Sequence, residues 1–241
     1  MVTGQVTGLV LWDIDHTLIE TGGVGKRLYA AAFEEVTGRR MENEADPTGR
    51  TEPAIFAETL ERHGLEPSAE AQERYAAELA RQYVEHDALL RSKGRALPGA
   101  RRAIAALSEQ PDLVQSLLTG NLRSVAMTKL SVFGLDGGVD FEVGSYGEDD
   151  SERAKLVAVA QGRAHQKYRL GFDRENTVIV GDTTGDVLAA HEGGARILGV
   201  ASGRDGVDEL RRAGADLVLP DLTDTARVVA AVSDLLGTTP R

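Results

Sequence analysis

The sequence predicts an α/β fold: an open parallel sheet covered by helices on both faces and interrupted once by a helical insertion. Three observations carry that prediction. Short apolar runs without polar alternation recur at residues 9–12, 113–118, 178–180, 197–200 and 217–219, as strands buried on both faces require. From residue 94 onward these runs alternate with helical patterns, the βα rhythm of a parallel sheet. Between about residues 24 and 91, by contrast, helical periodicity continues with no strand to break it.

The first run leads directly into Asp13-Ile14-Asp15-His16-Thr17. The insertion follows, with one helix expected from Ala30, Ala31, Phe33 and Val36, a second from Ile55, Phe56, Thr59 and Leu60, and a third from Tyr75, Leu79, Tyr83 and Val84. Thr21-Gly22-Gly23 and Arg91-Ser92-Lys93-Gly94 read as its hinges. Residues 1–20 and 95–241 are therefore expected to form a core domain and residues 21–94 a helical domain. An insertion placed just after the first strand sits over that strand's C-terminal end. Crossover helices are expected over 100–108, 124–133, about 151–164, 184–191 closed by Gly193-Gly194, and 207–213 closed by Gly214.

Composition narrows the function classes. A net charge of −11 opposes the phosphate backbone of nucleic acids. No apolar stretch approaches the roughly 18 residues of a membrane span. Neither a nucleic acid nor a membrane is expected as a partner, and a small ligand is. Met1-Val2-Thr3-Gly4-Gln5 lacks the basic start and apolar segment of a secretory leader, and the chain has no cysteine, so the expected location is cytoplasmic. Thiolate metal sites and cysteine nucleophiles are excluded with it.

Three strand ends carry the candidate chemistry. Asp13 and Asp15 place two carboxylates two residues apart where a buried run stops; such a pair repels unless a cation, a shared proton or several hydrogen bonds intervene. An Asp-rich turn is the alternative. The run to residue 118 ends in Thr119-Gly120-Asn121, and the run to 180 ends in Gly181-Asp182-Thr183-Thr184-Gly185-Asp186. Thr119 and Asn121 could cap the next helix, and Asp182 and Asp186 could be a cap and a first-turn acid. Ligands bind beyond the carboxyl ends of strands in open α/β sheets, so the three segments should converge. Asp182 and Asp186, four apart, need positive charge between them. An all-oxygen donor set suits magnesium.

In this order and after matching strands, Asp13-x-Asp15-x-Thr17, Thr119-Gly120-Asn121 and Gly181-Asp182-x-x-x-Asp186 resemble the motifs of the haloacid dehalogenase superfamily. The helical insertion resembles that of its small-cap branch, which includes phosphoglycolate phosphatase-like enzymes. The resemblance spans nearly the whole chain and implies a Rossmann-like open parallel sheet core with a small α-helical cap. It implies a magnesium-dependent phosphatase that hydrolyses a small phosphorylated metabolite through an aspartyl-phosphate. Asp13 would be the nucleophile, and Asp15 would protonate the leaving oxygen and then accept a proton from water. Mg2+ would be held by Asp13, the Asp15 backbone carbonyl, Asp182 and Asp186, the last directly or through water. Phosphate would be held by the Thr119 hydroxyl and the amides through Gly120 and Asn121, with Thr17 in the same set.

The family also implies a basic residue that restrains phosphate and nucleophile. The usual Lys-Pro pair is absent, and Asp150-Ser151-Glu152-Arg153-Ala154-Lys155 stands in its region, so Arg153 is the candidate and Lys155 the second. Lys129, ten residues after Thr119, reads as a surface lysine. His16 stands where many relatives have glycine, and its role stays open. In the insertion, Arg50 of Thr48-Gly49-Arg50-Thr51 is a candidate substrate contact or a surface arginine beside a helix cap. Gly22-Gly23-x-Gly25-Lys26 lacks the spacing of a phosphate loop. A phosphomutase would use the same core residues. A haloacid dehalogenase needs neither metal nor second acid, which disfavours it here, and a non-catalytic phosphate-binding protein should have lost one of four acids that are all present. Both a monomer and a homodimer fit the sequence.

Overall fold

The five apolar runs form one parallel sheet in a computed structural model that describes residues 6–238; the Met1-Val2-Thr3-Gly4-Gln5 stretch read for a leader lies outside them. In chain order the strands are β1 (Gly8–Trp12), β2 (Ile19–Glu20), β3 (Arg95–Ala96), β4 (Leu113–Leu117), β5 (Thr177–Gly181), β6 (Arg196–Val200) and β7 (Leu217–Leu219). The main sheet has the order β4-β1-β5-β6-β7, and β2 and β3 pair antiparallel beside it. Among the described residues ten helices accompany them: α1 (Val24–Thr37), α2 (Glu52–Arg62), α3 (Ala69–Glu85), α4 (Asp87–Lys93), α5 (Ala100–Ser108), α6 (Arg123–Phe133), α7 (Arg153–Tyr168), α8 (Thr184–Gly193), α9 (Val207–Ala213) and α10 (Thr225–Leu236).

Successive β1 side chains point to opposite faces, so the strand feeds two cores. Val10 and Trp12 join a buried cluster with Ala103 and Leu107 of α5, Val125 of α6 and Val228 and Val232 of α10. Leu9 and Leu11 join the opposite cluster with Leu156 and Val157 of α7, Val187 of α8 and Leu210 of α9. Gln115, a polar residue inside β4, stays buried because all its groups are satisfied: it accepts from Trp12 Nε1 at 3.0 Å and donates to the Ile104 carbonyl and Ser108 Oγ at 3.0 and 2.8 Å. Helix α10 was not expected from the sequence. It starts where Asp224 caps the amide of Arg227 and buries a face at Val228, Ala231, Val232 and Leu235.

The insertion packs onto the same core. Val24, Leu28, Tyr29, Ala32 and Phe33 of α1, Phe56 of α2 and Tyr75, Leu79 and Tyr83 of α3 belong to the cluster that holds Trp12. Phe56 stacks on Tyr75 at 4.0 Å between centroids, and each buried ring of this size contributes about 1.5–3 kcal/mol over exposure. Three expectations are corrected. The buried face of α1 begins at Val24, with Ala30 and Ala31 only half-buried, because Leu28 and Phe33 are the larger apolar side chains. Val84 is exposed, and Gln82 takes the inward position on α3. Arg91, Ser92 and Lys93 finish helix α4 instead of forming a hinge.

The connection to the sheet is the β2–β3 pair, with Ile19 opposite Ala96 and Glu20 opposite Arg95. Gly22 lies just beyond it at φ +60, where a Cβ would stand 2.2 Å from the Lys93 carbonyl oxygen, so only glycine lets the two connecting segments pass. Among the described residues no helix is long and apolar enough to cross a membrane.

Candidate active site

The chain leaves β1 for β4 on one side and returns to β5 on the other, so the C-terminal ends of these strands flank the point where the winding reverses. A cavity of about 520 Å3 opens there, lined by Asp13, Asp15, Thr119, Gly120, Asn121, Arg153, Asp182 and Asp186 together with residues of the insertion.

Asp13, Asp182 and Asp186 are all buried, and one oxygen from each lies within 4.8 Å of the others. Arg153, the first residue of α7, reaches in and donates from Nη2 to Asp13 at 2.7 Å and to Asp186 at 2.6 Å. The other oxygen of Asp186 accepts the amide and hydroxyl of Thr183, which closes a capping box at the start of α8. Thr17 donates to Asp182 at 2.9 Å. Burial, aided by the charges of Asp186 and Asp15, pushes Asp13 up to about 7 against the pull of Arg153. Burial and the charges of Asp13 and Asp186 push Asp182 up to about 8. One guanidinium thus faces three buried carboxylates. Their all-oxygen donor set and excess negative charge fit a hard divalent cation, which this cluster could hold.

Asp15 turns its carboxylate away from this cluster. Lys129 Nζ donates to its two oxygens at 2.9 and 2.7 Å and to Asn121 Oδ1 at 2.5 Å, while Asn121 Nδ2 donates to Asp15 Oδ2 at 2.8 Å. Burial alone would raise Asp15, but the Lys129 ammonium and the Asn121 amide outweigh it and hold the carboxyl below its usual value. This corrects the reading of Lys129 as a surface residue, since it is 3% exposed and also faces the Tyr83 ring at 5.3 Å. The signal was present in the sequence. Lys129 lies four and three residues after Val125 and Ala126, on the buried stripe of α6.

Gly120 is where the insertion meets the sheet. Its carbonyl accepts the Glu52 amide at 2.8 Å, and a Cβ on it would stand 2.0 Å from the Arg50 carbonyl oxygen. Glu52, at the start of α2, in turn accepts the Leu122 amide at 2.9 Å, and burial pushes its carboxyl up to about 7. Sequence reading did not single out Glu52, because a first-turn acid usually only complements the helix dipole.

The remaining expected residues are placed as follows. Thr119 is fully buried, lines the cavity and accepts from the amide and side chain of Asn121. Thr17 is fully buried with its hydroxyl committed to Asp182, so it orients that carboxylate where a phosphate contact was expected. Asn121 likewise spends its side chain on Asp15 and Lys129. Lys155 is exposed and pairs with Glu152, which leaves Arg153 as the cation of the cluster. Arg50 lines the cavity, yet its guanidinium is held by Glu58 and the carbonyls of Asp46 and Ala54. His16 is exposed and lines the cavity with φ +65, the left-handed region that favours glycine.

Known proteins share this architecture. The chain is 28% identical over 224 residues to the pyrophosphatase PpaX of Halalkalibacterium halodurans, covering 92% of this chain and 97% of that one. A hydrolase from Pseudomonas syringae superposes with a TM-score of 0.65 at 23% identity, over 94% of this chain and 99% of that one. A predicted phosphoglycolate phosphatase from Haemophilus somnus gives 0.62 at 17% identity, over 93% and 98%. At these identities the two structures speak for the fold alone. The sequence pattern of haloacid dehalogenase-like hydrolases matches residues 10–191, which include every strand-end motif described above, and the chain belongs to that family.

Proposed function

We propose that the protein is a magnesium-dependent phosphatase of a small phosphorylated metabolite, working through a phosphorylated Asp13, with residues 21–94 acting as a cap domain on a core of residues 1–20 and 95–241. One observation carries this reading: Asp13 shares Arg153 with Asp186 and clusters with Asp182 and Asp186 in the cavity lining, while Asp15, two residues on, stands apart with its own partners. The pyrophosphatase name of the sequence relative supports phosphoryl chemistry.

Asp13 would attack phosphorus with the oxygen that Arg153 leaves free. As the new oxygen–phosphorus bond forms, the bond to the alcohol oxygen breaks, and that oxygen keeps the electron pair and takes a proton from Asp15. Water then attacks phosphorus and gives a proton to Asp15, and cleavage of the phosphorus–Asp13 bond restores the carboxylate and frees phosphate. Arg153 would steady both the nucleophile and the phosphate oxygens, and Thr119 with the amides of Gly120 and Asn121 would hold those oxygens from the other side. Asp13, the Asp15 carbonyl, Asp182 and Asp186 would hold Mg2+. When bound, the ion supplies the positive charge that lets a phosphate dianion approach three carboxylates.

A phosphomutase shares these residues, and no feature of the cavity favours it. The absence of cysteine suits a reducing, cytoplasmic setting. The test is acid quenching of Asp15→Asn with an aryl phosphate and magnesium, followed by mass analysis. A phosphate adduct on Asp13 is expected, with hydrolysis abolished in Asp13→Asn. Undiminished turnover in Asp13→Asn overturns the reading.

A further inference from the structure

The part of the cavity lining that the insertion supplies would face the leaving group. Its apolar part is Tyr29, Ile55, Leu79 and Tyr83, and its charged part holds the acids Glu44, Asp46 and Glu52. Lys26 and Arg50 of the insertion and Arg204 of the core also line the cavity, and each is already engaged. Lys26 pairs with Glu44 at 3.1 Å, and Arg204 faces Asp46 at 3.5 Å while donating to Thr48 Oγ1. Arg50 is bound on three sides, by Glu58 and by the carbonyls of Asp46 and Ala54. Among the described residues Glu52 makes no ion pair; Arg62, at the far end of its own helix, pairs with Glu58, and the cation that acts on Glu52, Lys129, is already committed to Asp15 and Asn121.

A second anion on the substrate would therefore meet carboxylates, and each cation that could answer it already shares its charge with an acceptor. Hydroxyl or ammonium donors would instead meet acceptors: the second oxygen of each of the Glu44, Asp46 and Glu52 carboxylates, whose first is already engaged, and the oxygens of Tyr29 and Tyr83. We propose that the cavity selects phosphate monoesters whose alcohol carries hydrogen-bond donors and no second anionic group. This rests on the phosphatase reading above. It sets the chain apart from relatives named for pyrophosphate or phosphoglycolate, each of which bears a second negative group.

The test compares kcat/KM of the intact protein with magnesium on matched esters, with an aryl phosphate as reference. Hydroxyethyl phosphate and phosphoglycolate share a skeleton and differ in a hydroxymethyl against a carboxylate; glycerol phosphate and phosphoglycerate repeat the contrast, and propyl phosphate removes the donor. The hydroxyl member is expected to lead its carboxylate partner by about tenfold or more, and to lead propyl phosphate as well. Glu58→Gln, which loosens Arg50 without touching the carboxylate cluster, should shrink the first ratio several-fold by raising the carboxylate substrates. Equal or better turnover of phosphoglycolate or pyrophosphate overturns the inference and leaves the phosphatase reading standing, as does a lead for propyl phosphate. A ratio that Glu58→Gln does not move overturns the part assigned to the engaged Arg50. No turnover of any ester, the aryl phosphate included, removes the phosphatase reading and this inference with it.

Discussion

Lys129 donates to both oxygens of Asp15, at 2.9 and 2.7 Å, from a side chain that is 4% exposed while that of Asp15 is 38% exposed. The asymmetry has a consequence for stability. Removing the lysine leaves a carboxylate that water can reach, whereas removing the carboxylate leaves an ammonium that water cannot. Asp15→Ala should therefore cost about 3–5 kcal/mol, the range for an uncompensated buried charge, and Lys129→Met about 1–3 kcal/mol. Urea unfolding midpoints of the two variants check the order, and the reverse order would remove the claim that Lys129 is the more dependent partner.

The same pair sets a pH dependence. Lys129 and Asn121 hold the Asp15 carboxyl below its usual value, so their loss raises it. Asp15 must be ionised to take a proton from water in the second half of the reaction. The acid limb of the kcat profile should thus move to higher pH in Lys129→Met, by roughly one unit for each 1.4 kcal/mol of lost attraction. A limb that stays in place would show that Asp15 is not the group it reports.

Arg153 carries a different burden, since it is the only cation in contact with Asp13 and Asp186 among the described residues. Arg153→Met leaves three buried carboxylates with no counter-charge, and a divalent ion is then the remaining way to balance them. Thermal melts should show a larger magnesium-induced rise in Tm for this variant than for the parent, on a lower metal-free baseline. Equal rises would mean that Arg153 and the metal do not share the same acids.

The metal-free protein should lose stability as pH rises. Asp13 and Asp182 ionise at an ordinary value of 3.8 in the unfolded chain but at about 7 and about 8 when folded. Between those values the folded state keeps protons that the unfolded state has released, so each step up in pH favours unfolding. Metal binding needs the carboxylates deprotonated, which removes this penalty where they are ionised. Magnesium should raise Tm more at about pH 8 than at about pH 5.5, by several degrees at about 2–4 °C per kcal/mol. The same gain at both would dissociate the raised carboxylates from metal binding.

What the sequence reveals here follows from how local each cause is. The strands were legible because residues buried on both faces leave unbroken apolar runs, as at Leu9 to Trp12. The carboxylates were legible because each stands at the end of such a run. The bond from Thr17 to Asp182 was not legible because the two lie 165 residues apart, brought close by the pairing of β1 with β5. Lys129 reads as a surface residue by type alone, whereas its place on the α6 stripe is a buried one. The β2–β3 pair is two residues long on each side, too short for any periodicity to show. Arg153 came from the family resemblance and not from spacing; its partners are 140 and 33 residues distant.

Gly120 tests whether the insertion must close on the sheet for chemistry to occur. Its carbonyl takes the Glu52 amide, Glu52 takes the Leu122 amide, and the Arg50 carbonyl lies where a Cβ would be, at 2.0 Å. The clash is with backbone on both sides, so no side-chain rotation relieves it. Gly120→Ala should push the segment around Arg50 and Thr51 off the sheet and break both hydrogen bonds, each worth about 0.5–1.5 kcal/mol. Trp12 and the three carboxylates lie beneath this contact and keep their own partners, so the fold should persist with Tm lowered by several degrees. Turnover of a small phosphate ester should fall by about tenfold or more, because water enters a cavity that closure is meant to exclude. Limited proteolysis between residues 46 and 52 should quicken in parallel. If the alanine variant turns over normally and resists cleavage there, contact between Gly120 and the insertion is not what closes the site.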